Sequence, residues 1–180
     1  VADDATATKP LIERNVARAV VLDEHERVLL LQVGEYGNPE FGTAWELPGG
    51  GIEAGETHTH ALMRELREET GIVVTAEQIQ APTWRRDVIY DYRGSRRLQH
   101  EAISTVRLHG PAPEIQSLLR DAFEQSDLFD ARWWTQQEIL ASREWFYPHS
   151  LPALLARFLS GETISEGLEV WDKAAWRANS

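Results

Sequence analysis

Apolar and polar residues alternate along most of this chain with the two-residue period of strands, and only in a few stretches with the period of a helix. Asn15 to Leu22 and Arg27 to Val33 read as strands, and the polar Asp23-Glu24-His25-Glu26 between them suits a hairpin loop. Gly34 to Thr43, rich in Gly, Asn and Pro, predicts a loop. Trp45 to Leu47 is a short extended piece stopped by Pro48 and three glycines. At Thr57 the period changes, and the spacing predicts a helix to Thr70 with Thr57 as N-cap and Gly71 just past its end, where a left-handed residue is wanted. His60 stands where a complete capping box would carry Glu or Gln.

Beyond that helix, Ile72 to Val74 reads as another strand, and Trp84 to Tyr92 with Leu98 to Leu108 as a hairpin pair around Arg93-Gly94-Ser95-Arg96. Pro111 and Pro113 open an insertion with helical character over Glu114 to Phe123. A strand at Phe129 to Trp134 and helices at Gln136 to Ser142 and Leu151 to Leu159 complete the pattern. Strands surrounding one well-marked helix, with further helices behind them, predict a mixed α/β class. The expected organisation is a leader over 1–13, one domain over 14–160 and a tail over 161–180.

Composition narrows the partners. The hydrophobic fraction of 42% is enough for a packed core, and no apolar run approaches the length of a membrane-spanning helix, so no membrane partner is expected. Val1 to Pro10 lacks the apolar core of a secretory signal, and there are no cysteines; together these favour a cytoplasmic protein. The absence of Cys also removes thiolate metal sites and thiol nucleophiles. A formal net charge of −11 argues against binding long nucleic acid, which needs many Lys and Arg contacts to phosphate. A small anionic substrate remains possible where a metal ion or a local Arg cluster neutralises it.

The chemistry concentrates on the predicted helix. Glu65, Glu68 and Glu69 fall at i, i+3 and i+4 and share one face, while Leu62, Met63 and Leu66 lie on the neighbouring arc and can face a core. Like charges at this spacing repel by a few tenths of a kcal/mol when exposed, roughly. A hard divalent cation reverses the sign, because Mg²⁺ takes carboxylate oxygens, waters and substrate phosphates. Arg64 is placed to brace the acids, and the preceding glycines let backbone approach a ligand closely. An acidic face alone is common on solvated helices. The whole set of residue types at fixed offsets would arise by chance roughly once in 10⁸ positions at ordinary residue frequencies.

That set, Gly-x5-Glu-x7-Arg-Glu-aliphatic-x-Glu-Glu-x-Gly-aliphatic, runs from Gly50 to Ile72 and resembles the Nudix box at every defined position. The approach Trp45-Glu46-Leu47-Pro48-Gly49 and the segment Ala131-Arg132-Trp133-Trp134-Thr135 also resemble that family. The resemblance implies a Nudix fold: an α/β/α sandwich with a mixed sheet and a loop–helix–loop catalytic motif. It implies that Glu65, Glu68 and Glu69 ligate Mg²⁺ or Mn²⁺, that Glu56 and Arg64 hold the catalytic helix in shape, and that the Gly50 carbonyl joins the metal shell. The implied activity is hydrolysis of a phosphoanhydride bond in a nucleotide-like diphosphate, by attack of metal-activated water on phosphorus. A Nudix-fold sensor that binds without cleaving is the alternative, but sensors usually lose box acids. Isomerisation of allylic diphosphates generally needs a Cys that this chain lacks.

Residues outside the box are candidates of a weaker kind. Glu101 is the first choice for an additional metal ligand, with Glu124 and Asp127 behind it; each reads more readily as a solvated surface acid, Glu124 and Asp127 more so than Glu101. Trp84, Arg86, Val88, Tyr90 and Tyr92 alternate onto one strand face, which suits stacking a base and holding a phosphate, or simply packing the sheet. Arg93, Arg96 and Arg97 form a local basic cluster, and Arg97 joins Trp84, Arg86 and Tyr90 as a substrate-binding candidate. Tyr36 to Phe41 is placed to lid the site. A homodimer is compatible with the resemblance, and no residue pattern identifies the particular diphosphate.

Overall fold

A computed structural model describes residues 9–34, 42–92, 94–115 and 128–171. Among them are nine strands and three α-helices: β1 (Leu11–Leu22), β2 (Val28–Gly34), β3 (Thr43–Glu46), β4 (Gly49–Gly51), α1 (His58–Thr70), β5 (Trp84–Tyr92), β6 (Ser95–Arg107), β7 (Leu128–Trp134), α2 (Gln136–Ala141), β8 (Phe146–Tyr147), α3 (Leu151–Leu159) and β9 (Ile164–Trp171). One mixed sheet runs in the order β8-β3-β2-β1-β6-β5-β9, with β4 paired to β1 and β7 to β2. The β1–β6, β5–β9 and β3–β8 pairs are parallel and the remaining pairs antiparallel.

The alternation along β1 builds a core on each side of it. Val20 and Leu22 project with Leu30, Trp84, Ile103, Trp134 and the apolar residues of α2 and α3. Ala17, Ala19 and Val21 project the opposite way, against Ala61, Leu62 and Leu66 of α1. Period-two side chains of a central strand therefore serve both faces, and helices cover both, which is the expected α/β/α sandwich. Among the described residues no helix is long and apolar enough to cross a membrane.

Several segments differ from the expectation. β1 begins at Leu11, four residues before Asn15, because Leu11 to Arg14 continue the ladder to β6 although Leu11 and Ile12 are exposed and show no apolar alternation. β6 likewise starts at Ser95, inside the expected turn. Ile72 to Val74 is extended but joins no ladder: Ile72 and Val74 are buried against α1 while Val73 is exposed. Residues 164–171 of the expected tail form β9, paired with β5. The expected helix over Glu114 to Phe123 lies almost wholly outside the described residues, as do the 36–41 loop, Arg93, Glu124 and Asp127.

Candidate functional site

Helix α1 begins where expected. The Thr57 side chain accepts from the His60 N–H at 3.2 Å, and Gly71 ends the helix with φ 74° while its N–H donates to the Arg67 carbonyl. Between these ends Arg64 uses both edges of its guanidinium. Its Nε and Nη2 donate to the two oxygens of Glu56 at 3.0 and 2.9 Å, and Nη2 also reaches the Gly51 carbonyl at 2.8 Å. Nη1 donates to Glu65 at 2.8 Å and to Glu68 at 3.2 Å. A two-pronged Arg–carboxylate pair combines energy with fixed geometry. Through it the loop of Glu53 to Glu56, the glycine turn and the acidic face of the helix become one unit. The Arg64 hydrogen bonds hold Glu56 below its ordinary value, against the opposing effect of burial. The hydrogen bond to Glu56 likewise raises Arg64 above its ordinary value.

The glycine turn is shaped by neighbours that leave no room for side chains. Gly49 has φ 129°, and a Cβ there would stand 2.2 Å from the Ala17 carbonyl oxygen. Its N–H donates to Glu69 at 2.8 Å, which seats the buried Glu69 carboxylate against β4. At Gly50 a Cβ would fall 2.4 Å from Glu65 Oε1, so the Glu65 carboxylate occupies the space a side chain would take.

These residues line a cleft of about 750 Å³, which Glu46, Glu65, Glu68 and Glu69 share with the three glycines. The donor set is all oxygen, carboxylates beside backbone groups, which is the set that hard divalent cations such as Mg²⁺ take. Among the described residues no three acidic or histidine side chains converge on one point, the charge between Glu65 and Glu68 being that of Arg64. The set fits a hydrated cation carried partly by substrate phosphates better than a closed protein cage.

The remaining wall comes from the sheet. Rows of directly paired residues cross β6, β5 and β9 with their side chains on one face. Nearest the core, Ile103 opposes Trp84; then Glu101 opposes Arg86; then Gln99 opposes Val88 and Glu169; then Arg97 opposes Tyr90 and Trp171. The face thus grades from apolar core to cleft. Trp84 lies at the core end, fully buried against Phe158 and donating its indole N–H to Glu166, so it does not line the cleft, and the expected stacking role is corrected to core packing. Tyr90, Tyr92 and Arg97 do line it, and the Arg97 guanidinium stands 4.5 Å from the centre of the Tyr92 ring.

Arg86 and Glu101 also require correction. Both are buried, and neither lines the cleft. Glu101 Oε1 accepts from Arg18 Nε at 2.9 Å and from the Tyr147 hydroxyl at 3.0 Å, while Oε2 is ion-paired to Arg86 at 3.2 Å. A carboxylate faced by two guanidinium groups has its charge already balanced, which removes the electrostatic reason for it to ligate a metal. Arg86 spends its own charge on Glu101 and Glu169 rather than on a phosphate. Burial alone would lower Arg18, but the carboxylates of Glu46 and Glu101 raise it well above its ordinary value; burial, then Glu101, raises Tyr147.

Sequence reasoning missed Arg14, Arg18, Tyr147 and Trp171, all of which line the cleft. Arg18 donates to the Leu47 carbonyl at 2.7 Å and so connects the buried charges to the strand leading into the glycine turn.

The family model described as the NUDIX domain matches residues 13–154. The chain belongs to the Nudix family. Among Nudix relatives, an RNA pyrophosphohydrolase of Novosphingobium aromaticivorans is 30% identical over 135 residues, covering 70% of this chain and 74% of that protein. An 8-oxo-dGTP diphosphatase of Proteus vulgaris is 43% identical over 61 residues, 34% of this chain and 53% of that protein. The match to the plant Nudix hydrolase 25 of Arabidopsis thaliana covers 26% of its length, so the chain spans about half or less of several curated relatives it matches. The fold is shared with a MutT protein from Methanosarcina mazei Go1 (TM-score 0.56, 18% identity, 85% of this chain and 96% of that one). It is shared also with a Caenorhabditis elegans Ap4A hydrolase (TM-score 0.53, 20% identity, 82% and 98%).

Proposed function

We propose that this Nudix protein hydrolyses a phosphoanhydride bond in a small nucleotide-like diphosphate, with Mg²⁺ or Mn²⁺ bound at Glu65, Glu68, Glu69 and the Gly50 carbonyl. The observation that carries the reading is one cleft in which box carboxylates and the glycine turn meet a wall of Tyr and Arg side chains. When bound, a divalent cation would neutralise phosphate charge and lower the pKa of a coordinated water.

The chain's own residues divide the remaining work. Arg64 keeps Glu65 and Glu68 aimed into the cleft, and Gly49 holds Glu69 from the opposite side. Glu68, the more exposed of the Arg64-bound acids, suits transient proton acceptance during attack on phosphorus. Arg14 and Arg97 supply positive charge to an otherwise acidic cleft and would steady substrate oxygens. The net charge of −11 favours a small nucleotide over a long polynucleotide. The names of relatives support the same bond type: the RNA pyrophosphohydrolase and the 8-oxo-dGTP diphosphatase are both named for diphosphate chemistry.

The test is incubation with Mg²⁺, and separately Mn²⁺, against nucleoside triphosphates, nucleotide sugars and dinucleoside polyphosphates, with products identified chromatographically. Glu69→Gln is the control, since the amide oxygen can still accept from Gly49. Turnover that disappears with chelator and in the control is the expected result. Metal-dependent binding of one compound without turnover would replace hydrolysis by ligand sensing.

A further inference from the structure

Residues 164–171 lie beyond the segment matched by the family model, yet β9 completes the cleft. We propose that Trp171, at the end of β9, is the residue against which the aromatic base of a nucleotide substrate stacks; the inference rests on the hydrolase reading above and names the recognised group as a nucleobase.

Three observations carry it. First, Trp171 belongs to neither core cluster, is half-buried, and lines the cleft in the same cross-strand row as Tyr90 and Arg97. Second, its ring is oriented rather than loosely placed. The indole N–H donates to Glu169 at 2.5 Å, and the ring makes T-shaped contacts with Tyr147 and Trp145 at centroid distances of 5.2 and 6.5 Å. A pre-oriented aromatic surface loses little entropy on binding. Third, the cleft spans from the glycine turn and the carboxylates of Glu65, Glu68 and Glu69 to the row of Arg97, Tyr90 and Trp171. That span suits a nucleotide whose phosphates lie at the carboxylates and whose base lies at the aromatic row.

The tether also connects the two ends. Glu169 receives Trp171 on one oxygen and Arg86 on the other, Arg86 is paired to Glu101, Glu101 to Arg18, and Arg18 to the Leu47 carbonyl just before the turn. Base wall and catalytic turn therefore hang on a single chain of polar contacts through the sheet. A ligand without an aromatic base would leave the Trp171 row unused.

Trp171→Ala and Trp171→Phe are compared with the unaltered protein by kcat and KM on GTP, CTP and base-free tripolyphosphate, with melting curves to check folding. Loss of a base–aromatic stack lowers kcat/KM on the nucleotides relative to tripolyphosphate by about ten-fold in Trp171→Ala, chiefly through KM. Trp171→Phe stays within about three-fold because a ring remains. An unchanged ratio for both nucleotides in a folded Trp171→Ala overturns the inference while leaving hydrolysis standing. If the unaltered protein cleaves none of the compounds, calorimetric titration with GMP still decides: about ten-fold weaker binding in Trp171→Ala supports base stacking, and equal or absent binding overturns it.

Discussion

Replacing Gly50 by alanine separates the position of one carboxylate from the stability of the fold. The new methyl carbon would stand 2.4 Å from Glu65 Oε1 and 2.7 Å from its carboxyl carbon, where Cβ contacts under 3.0 Å are essentially never seen. Oε1 must therefore retreat by about 0.6 Å to reach that limit and by about 1 Å for ordinary contact. The backbone at Gly50 is not left-handed, and the obstructing atoms are the end of a flexible side chain, so the carboxylate yields rather than the turn. Alanine also lowers unfolded-state entropy by an amount worth about 0.4–1 kcal/mol, which offsets the weakened Arg64–Glu65 pair. A misplacement of this size costs about 10²-fold in rate when the displaced group is part of the reacting geometry. The expected outcome is a melting temperature within a few degrees of the parent and kcat about 100-fold lower on the preferred nucleotide. Full activity in a folded Gly50→Ala would refute the assignment of Glu65, and a collapsed fold would refute the view that the turn tolerates the methyl. Gly49→Ala provides the contrast: its Cβ meets the Ala17 backbone at 2.2 Å with φ at 129°, and the protein should be grossly destabilised in the same melting assay.

Glu101→Gln should destabilise by about 1–3 kcal/mol, because Arg18 and Arg86 each lose a buried charged partner and keep only Glu46 and Glu169; chemical denaturation measures it, and an unchanged midpoint would contradict the buried network. Arg64→Lys should lower kcat about ten-fold or more with little change in folding, since a lysine cannot grip both Glu56 oxygens while also holding Glu65 and Glu68; unchanged turnover would deny the bracing role. His58 is pushed below its ordinary 6.5 by burial and then by Arg85, so the folded state favours the neutral ring that the unfolded chain would protonate. Its contribution is therefore fully present above pH 6.5 and is lost as the pH falls through the depressed value. Melting curves from pH 8 to 5 should fall more steeply for the unaltered protein than for His58→Gln, and parallel curves would refute this.

Local spacing made the catalytic helix readable. Glu65, Glu68 and Glu69 lie on one helix whose geometry brings them to a common face, and Glu56 lies in the adjoining loop within reach of Arg64. Their cap and stop residues are equally local. Glu101 was readable only as an acid on a strand. Its meaning depends on Arg18, 83 residues away, and on the register that sets both beside Arg86. Trp84 and Tyr90 share a strand face as alternation predicts, but which end of that face is core and which is cleft depends on where α3 packs. The 164–171 segment carried only a broken signal, since Glu166 interrupts the alternation of Ile164, Leu168 and Val170, and a parallel partner 80 positions earlier leaves no mark on the segment itself.

The parallel pairing of β1 with β6 has a consequence for how the molecule is made. Leu11 opposite Arg96 and Leu22 opposite Arg107 are each separated by 85 positions, and β1 is apolar on both sides over much of its length. Ring closure of that size must precede any reward from the ladder, so the centre of the sheet forms late and slowly compared with local helix formation. During synthesis the Val16 to Leu22 strip emerges well before β6, with the neighbouring β2 and then the glycine turn and α1 available to shelter one side of it. The helix that bears the box thus shields a nascent strand before any substrate is met.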